Sequence, residues 1–222
     1  MTEPTPSTTT AVESRWPPAI ALALLIILLN VLRGHVVFLP VWVSYVVAML
    51  LLASMAAVGI TRGGLVWLRL ERALVVLLGA VYVANTTIEL ADMVGAIAIH
   101  PKGDNAYALL SSAVGIWVEN AVIFSMLFWQ VDGGGPYGRA RGIKSTPDWG
   151  FPSPPETGAA SLPWVPRYLD YLFLAYNTAT AFSPTDALPY THRAKLLMTV
   201  ESAISLVTLV VVLSRAIGIL PS

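Results

Sequence analysis

The sequence predicts an all-α fold, a polytopic membrane helix bundle of five transmembrane helices plus a short re-entrant or sixth helix. Two observations carry that expectation. Of 222 residues, 56% are hydrophobic and only 12% charged, whereas a soluble domain carries roughly 25% charged residues. The apolar residues also gather into runs long enough to cross a hydrocarbon core about 30 Å thick, which takes about 20 helical residues. Charge is balanced, with 13 basic and 13 acidic residues, so no basic excess points to a nucleic-acid partner. Cysteine is absent, which excludes disulfides, thiolate metal sites and cysteine nucleophiles.

Taken in order, residues 1–17, MTEPTPSTTTAVESRWP, are rich in Thr, Pro and Ser and offer little to bury, so a disordered tail is expected there. Arg15 followed by AIALALLIILLNV has the outline of a signal peptide, but no small-residue cleavage site follows and a second apolar run comes next. The expectation is a retained helix. Five spans are read at residues 16–33, 37–60, 72–97, 105–130 and 195–219. Together the first four make a membrane region over 18–130. A polar loop over 131–166 contains VDGGGPYGRARGIKSTPDWGFPSPPETGAASLP, whose Gly and Pro density argues against regular structure. The last unit, 167–220, opens with YLDYLFLAYNTATAF over 168–182. As a helix that segment reaches about 22 Å, short for a crossing and adequate for a half-helix.

Several spans carry polar groups. Asn85, Glu89 and Asp92 stand at i, i+4 and i+7 and so share one helix face. A carboxylate at bilayer depth costs about 2.5–3.5 kcal/mol on insertion scales and normally faces a bundle interior or a water-filled cavity. The fourth span adds Glu119 and Asn120, and the last adds Glu201, Ser202, Ser205 and Thr208, groups that membrane helices commonly use to hold one another. The chain has no HExxH, GxSxG or GxxxxGK[ST], so no enzyme template applies and no catalytic residue is expected. His35, His100 and His192 lie far apart, so neither a metal site nor another cofactor is expected.

Between the short helix and the last span runs TATAFSPTDALP, residues 178–189. The segment from Tyr168 to Leu220 resembles the pore module of tetrameric potassium channels, in which a half-helix leads through the filter T-T-V-G-Y-G-D to an inner helix. Aligned without gaps, Thr180, Ala181, Phe182, Ser183, Pro184, Thr185 and Asp186 occupy the seven filter places, preceded by Thr178. Pro189 matches the proline of G-D-x-x-P, Thr191 and Lys195 match a Thr and Arg beyond it, and Glu201 and Arg215 fall where bacterial inner helices carry Glu and Arg. Multi-pass bacterial membrane proteins with a terminal pore-like segment are the wider set that the chain resembles. The likeness implies a homo-oligomer, a tetramer for a channel, passing monovalent cations. It departs from the pattern at the filter glycines, which let successive carbonyls face the ion. Here they are Ser183 and Thr185, with Pro184 fixing φ between them. The expectation is a wider, hydrated ring of Ser, Thr and Asp side chains.

Basic residues set the orientation. Arg15, Arg62, Arg69, Arg72, Arg139, Arg141 and Lys144 collect on one face, against Arg33 and Lys102 on the other. The positive-inside rule then places the N-terminus in the cytoplasm of a cell-membrane protein. If residues 168–186 re-enter, Arg167, Arg193 and Lys195 join the cytoplasmic face, giving an inverted pore of the kind glutamate-receptor channels have. A pore-loop cation channel-like protein is thus the leading expectation. The alternatives are a non-conducting structural or accessory membrane protein, with TATAFSPTD as an interhelical turn, and a small-solute or proton-coupled transporter using Glu89, Asp92 and Glu119.

Overall fold

Helices follow the apolar runs, because a backbone in hydrocarbon must satisfy its own N–H and C=O groups. The computed structural model describes residues 13–31, 41–61, 63–99, 106–141, 146–152, 164–180 and 187–219. Helix α1 is Trp16–Val31, α2 Val41–Ile60, α3 Leu65–Ile99 and α4 Ala106–Val131. A single 3₁₀ turn, Asp132–Gly134, leads into the short α5, Gly135–Arg141. Then come strand β1 (Trp149–Gly150), α6 (Tyr168–Thr180), β2 (Leu188–Pro189) and the long α7, His192–Ile219.

Among the described residues, three helical stretches are long and apolar enough to cross a membrane: Leu65–Ala91, Ala113–Gly134 and His192–Leu213. Helices α1 and α2 follow the first two expected spans, with described apolar stretches over Trp16–Leu28 and Tyr45–Ile60. The third span begins earlier than residue 72, since α3 starts at Leu65 and takes Arg69, Glu71 and Arg72 into its first turns. Arg and Glu are good helix formers, so hydropathy marks where the lipid ends and not where the helix ends. Of the residues read as a tail over 1–17, the described ones, 13–17, join the bundle: Arg15 is buried, and Pro17 and Pro18 sit in the first turn of α1, where proline needs no hydrogen-bond partner. Within the loop expected to lack regular structure lie the 3₁₀ turn, α5 and β1. Gly133, Gly134 and Gly135 all take positive φ, 56°, 85° and 85°, and this run of left-handed residues reverses the chain at the foot of α4.

Helix α4 is the centre. Its span is 67% buried against 28% for that of α7, and it packs against α1, α3, α6 and α7, while α2 lies outside on α3 and α1. Tyr82, Phe124, Phe128, Trp129, Trp149, Tyr168 and Tyr171 supply much of the core volume. Phe124 meets Tyr82 and Phe128 edge-on at 6.4 and 6.0 Å, and Trp129 meets Tyr168 likewise at 5.9 Å, an arrangement aromatic quadrupoles favour. Where α3 and α4 approach most closely, a β-carbon on Gly79 would sit 2.7 Å from a methyl of buried Leu127.

The last two helices leave the same end of the bundle. Tyr168, which opens α6, bonds Ser125 in the lower part of α4 at 2.9 Å. β2, just before α7, pairs antiparallel with β1, Trp149 opposite Pro189 and Gly150 opposite Leu188. Further up, Ser202 of α7 donates to the Thr178 carbonyl of α6 at 3.4 Å, and Trp117 of α4 donates to that of Ala179 at 3.4 Å. Both contacts lie about three turns from their helix starts, so α6 and α7 run side by side in parallel.

Overpacking predicts a stability contrast between two glycines. Gly79→Leu lowers unfolding free energy by about 1–3 kcal/mol, whereas Gly59→Leu, where a β-carbon meets nothing within 4 Å, is tolerated; thermal unfolding of the two variants in the same detergent checks this.

Candidate functional site

Two polar constellations stand out, one at the end from which α6 and α7 start and one halfway along the bundle. The end site begins with charges at helix ends. Glu71 of α3 is fully buried and accepts from Arg15 Nε at 3.4 Å and Gln130 Nε2 at 2.6 Å. Arg15 also lies over the Trp129 ring, 5.4 Å from its centroid. Glu13 accepts from Trp129 Nε1 at 3.0 and 3.1 Å, from the Tyr168 backbone N–H at 3.0 Å and from Arg139 at 3.3 Å. A negative side chain at the first residue of α6 suits the positive end of that helix.

The turn after α4 supplies two more carboxylates. Asp132 accepts from the backbone N–H groups of Asp148 at 2.6 Å and Trp149 at 3.3 Å, and from the Tyr171 hydroxyl at 2.5 Å. Asp148 in turn accepts from the Gly133 N–H at 3.2 Å, the Thr191 hydroxyl at 2.7 Å and Arg193 Nε at 2.7 Å, with Arg193 Nη2 closing the fork. Bidentate pairing of this kind fixes orientation as well as charge. Arg139 links the two halves by donating to the Trp129 and Asp132 carbonyls at 2.7 and 2.9 Å, its guanidinium 4.9 Å from the Tyr171 ring centroid. Burial raises the Tyr171 hydroxyl well above its usual range, with neighbouring Asp132 adding to the effect and Arg139 opposing it, and burial pushes Tyr168 up to about 12. Both therefore stay neutral donors at ordinary pH. This site ties together six stretches of the chain, the approach to α1, α3, α4 with α5, β1, α6 and α7, and the sequence reading missed it. Its members are ordinary span-end charges, and only the DGGG turn and the isolated Gln130 beside it signal it.

The mid-bundle constellation contains residues that the spacing did single out. Asn120 is fully buried and donates to the Glu201 carbonyl at 3.0 Å and the Ser205 hydroxyl at 2.8 Å, locking α4 to α7. Glu201 is also fully buried. Tyr82 of α3, whose hydroxyl donates to the Ile116 carbonyl at 3.3 Å, lies within electrostatic reach of Glu89, Glu119 and Glu201. Glu89 and Glu119 are only partly buried and feel one another. Asn85 shares the α3 stripe of Glu89 and is partnered; the side chain of Asp92 lies outside the described residues. Among the described residues no group of three or more carboxylates or imidazoles could hold a metal ion.

Of the filter-like residues, Thr178 is buried with its hydroxyl donating to its own helix at the Leu174 carbonyl, and Thr180 does the same to Tyr176. Ala181, Phe182, Ser183, Pro184, Thr185 and Asp186 lie outside the described residues. Fold and composition together define an integral membrane helical protein. Compared with protein-family models, with curated proteins and with solved structures, the chain finds no match.

Two outcomes test the end site. Glu71→Ala strands the Arg15 guanidinium, 6% exposed, and costs about 3–5 kcal/mol, while the double replacement Arg15→Met with Glu71→Leu restores most of that stability; chemical unfolding of the three proteins in one detergent measures both. The raised hydroxyl of Tyr168 stabilises the fold fully below about pH 10, the ordinary tyrosine value, and that contribution disappears as pH rises toward about 12. An alkaline unfolding titration should therefore be shallower between about pH 10 and 12 in Tyr168→Phe, with Tyr171 supplying part of the slope that remains.

Proposed function

We propose that the chain is an oligomeric pore-loop, cation channel-like protein of the cell membrane, without catalytic activity, in which residues 168–189 form a re-entrant hairpin and α7 the helix that follows it. The observation that carries the reading is that Tyr168 and Pro189 are held at one end of the bundle while α6 and α7 rise from it in parallel. A helix of 13 residues covers about 20 Å of a core about 30 Å thick. Thr180 ends α6 about three turns from Tyr168, whereas Ala187 stands beside β2 at the end where α6 begins. On this reading the threonine, serine and aspartate residues of the intervening sequence line a shared axis.

The basic residues support an inverted hairpin. Arg15, Arg72, Arg139 and Arg193 stand at the end from which α6 rises, and by the positive-inside rule this gathering of charge supports a cytoplasmic position for that end. Assembly has surface available to it: Leu169 and Phe173 of α6 and Leu196, Leu206, Leu209 and Leu213 of α7 are exposed, in contact with lipid or with neighbouring copies.

Purified protein in liposomes is expected to pass small monovalent cations and to change its selectivity on Asp186→Asn; a folded tetramer that passes none would overturn the reading. Single cysteines placed through residues 176–186 should label from the side of the N-terminus, with protected positions that respond to cations, whereas a plain turn on the far side would label from the other face.

A further inference from the structure

Glu201 presents a problem of charge. It is wholly buried, nine residues into α7, and among the described residues no backbone or side-chain donor reaches either of its carboxyl oxygens. The Oδ1 of Asn120 is equally buried and equally without a donor. Its amide nitrogen, by contrast, is committed to the Glu201 carbonyl and Ser205. This contact between α4 and α7 therefore collects acceptors, and among the described residues no donor matches them. An ionised carboxylate left there would cost several kcal/mol, and an unmatched amide oxygen adds about 1–3 kcal/mol.

The surroundings deepen the deficit. Tyr82 of α3 lies within electrostatic reach of Glu201 and also of Glu119 on α4 and Glu89 on α3, and none of these brings a positive charge. From α6 comes the carbonyl of Thr178, which accepts from Ser202 next to Glu201, so the negative end of that half-helix points to the same level. The cations of α7, Lys195 and Arg193, stand six and eight residues before Glu201, about two turns away along the helix. With no third carboxylate or imidazole close enough to complete a metal site among the described residues, the group that fits is the smallest cation.

We propose that Glu201 is an exchangeable intramembrane proton site, its acid form donating toward Asn120, with the partly buried pair Glu119 and Glu89 connecting it to water. The carboxylate takes up one proton from water as it becomes the acid and returns one when it ionises, so charge balances without a further reactant. A buried carboxylate at bilayer depth that gains and loses a proton is the element from which proton relays are built. This site needs neither the hairpin nor an assembled pore, and so goes beyond the reading above.

Infrared difference spectroscopy on the full chain in phosphatidylcholine vesicles tests it. A pH jump in sodium-free and potassium-free buffer should remove a protonated-carboxyl stretch and the reverse jump restore it. The band should be lost in Glu201→Gln, which keeps the shape of the neutral acid. In Asn120→Ala, which removes the acceptor, the band should move to higher frequency; this second variant decides the matter if Glu201→Gln fails to fold. A band that survives Glu201→Gln, that does not move in Asn120→Ala, or that ignores bulk pH over the whole range in which the fold persists would overturn the proposal. So would a Glu201 that ionises on addition of sodium or potassium at constant pH, since that marks an alkali-cation site. Cation flux is measured on the same vesicles: the band without flux overturns the pore and not this site, and flux without the band does the reverse.

Discussion

Burying Asp132 and Asp148 side by side at the foot of α4 is the constraint on which the rest of the structure depends. Two carboxylates so placed are tolerable only if every oxygen meets a donor, and the donors come from widely separated parts of the chain. Asp132 takes the backbone N–H groups of Asp148 and Trp149 and the hydroxyl of Tyr171; Asp148 takes Gly133, Thr191 and Arg193. Satisfying the first fixes where α6 stands, and satisfying the second fixes where α7 begins. The parallel pair of helices is thus a consequence of charge accounting at one end, since nothing in their apolar faces demands that they start together.

The same end carries Glu13, Arg15, Glu71, Gln130 and Arg139, linked by hydrogen bonds and by cation–π contacts to Trp129 and Tyr171. Networks of this kind are strong when complete and costly when one member is missing. Among the described residues the atoms left over at the end are donors, Arg15 Nη2 and Arg139 Nε, whereas those in the middle are acceptors, both carboxyl oxygens of Glu201 and Oδ1 of Asn120.

How far the sequence disclosed this depends on the range of the interaction. Membrane helices were legible because hydropathy is a local property, and α4 and α7 lie close to where the apolar runs put them. Helix starts were less legible: α3 begins seven residues before the expected span because Arg69, Glu71 and Arg72 extend the helix beyond the lipid. The stripe of Asn85 and Glu89 and the pair Glu119 and Asn120 could be read from spacing, since period alone sets the face of a helix. Asp132, Asp148 and Glu13 could not. Each acquires its role from partners 15 to 155 positions away, and a charged residue near a span end reads the same whether it is solvated or buried. The shortness of α6 was legible, but its direction relative to α7 required the pairing of β1 with β2.

The bond from the Tyr168 N–H to Glu13 joins residues 155 positions apart, which has a consequence for how the protein is made. Helix α1 is made before α6, and of the donors to Glu13 those of Trp129 and Arg139 precede the Tyr168 N–H along the chain. That end is therefore assembled in steps, and its last bond reports the arrival of α6.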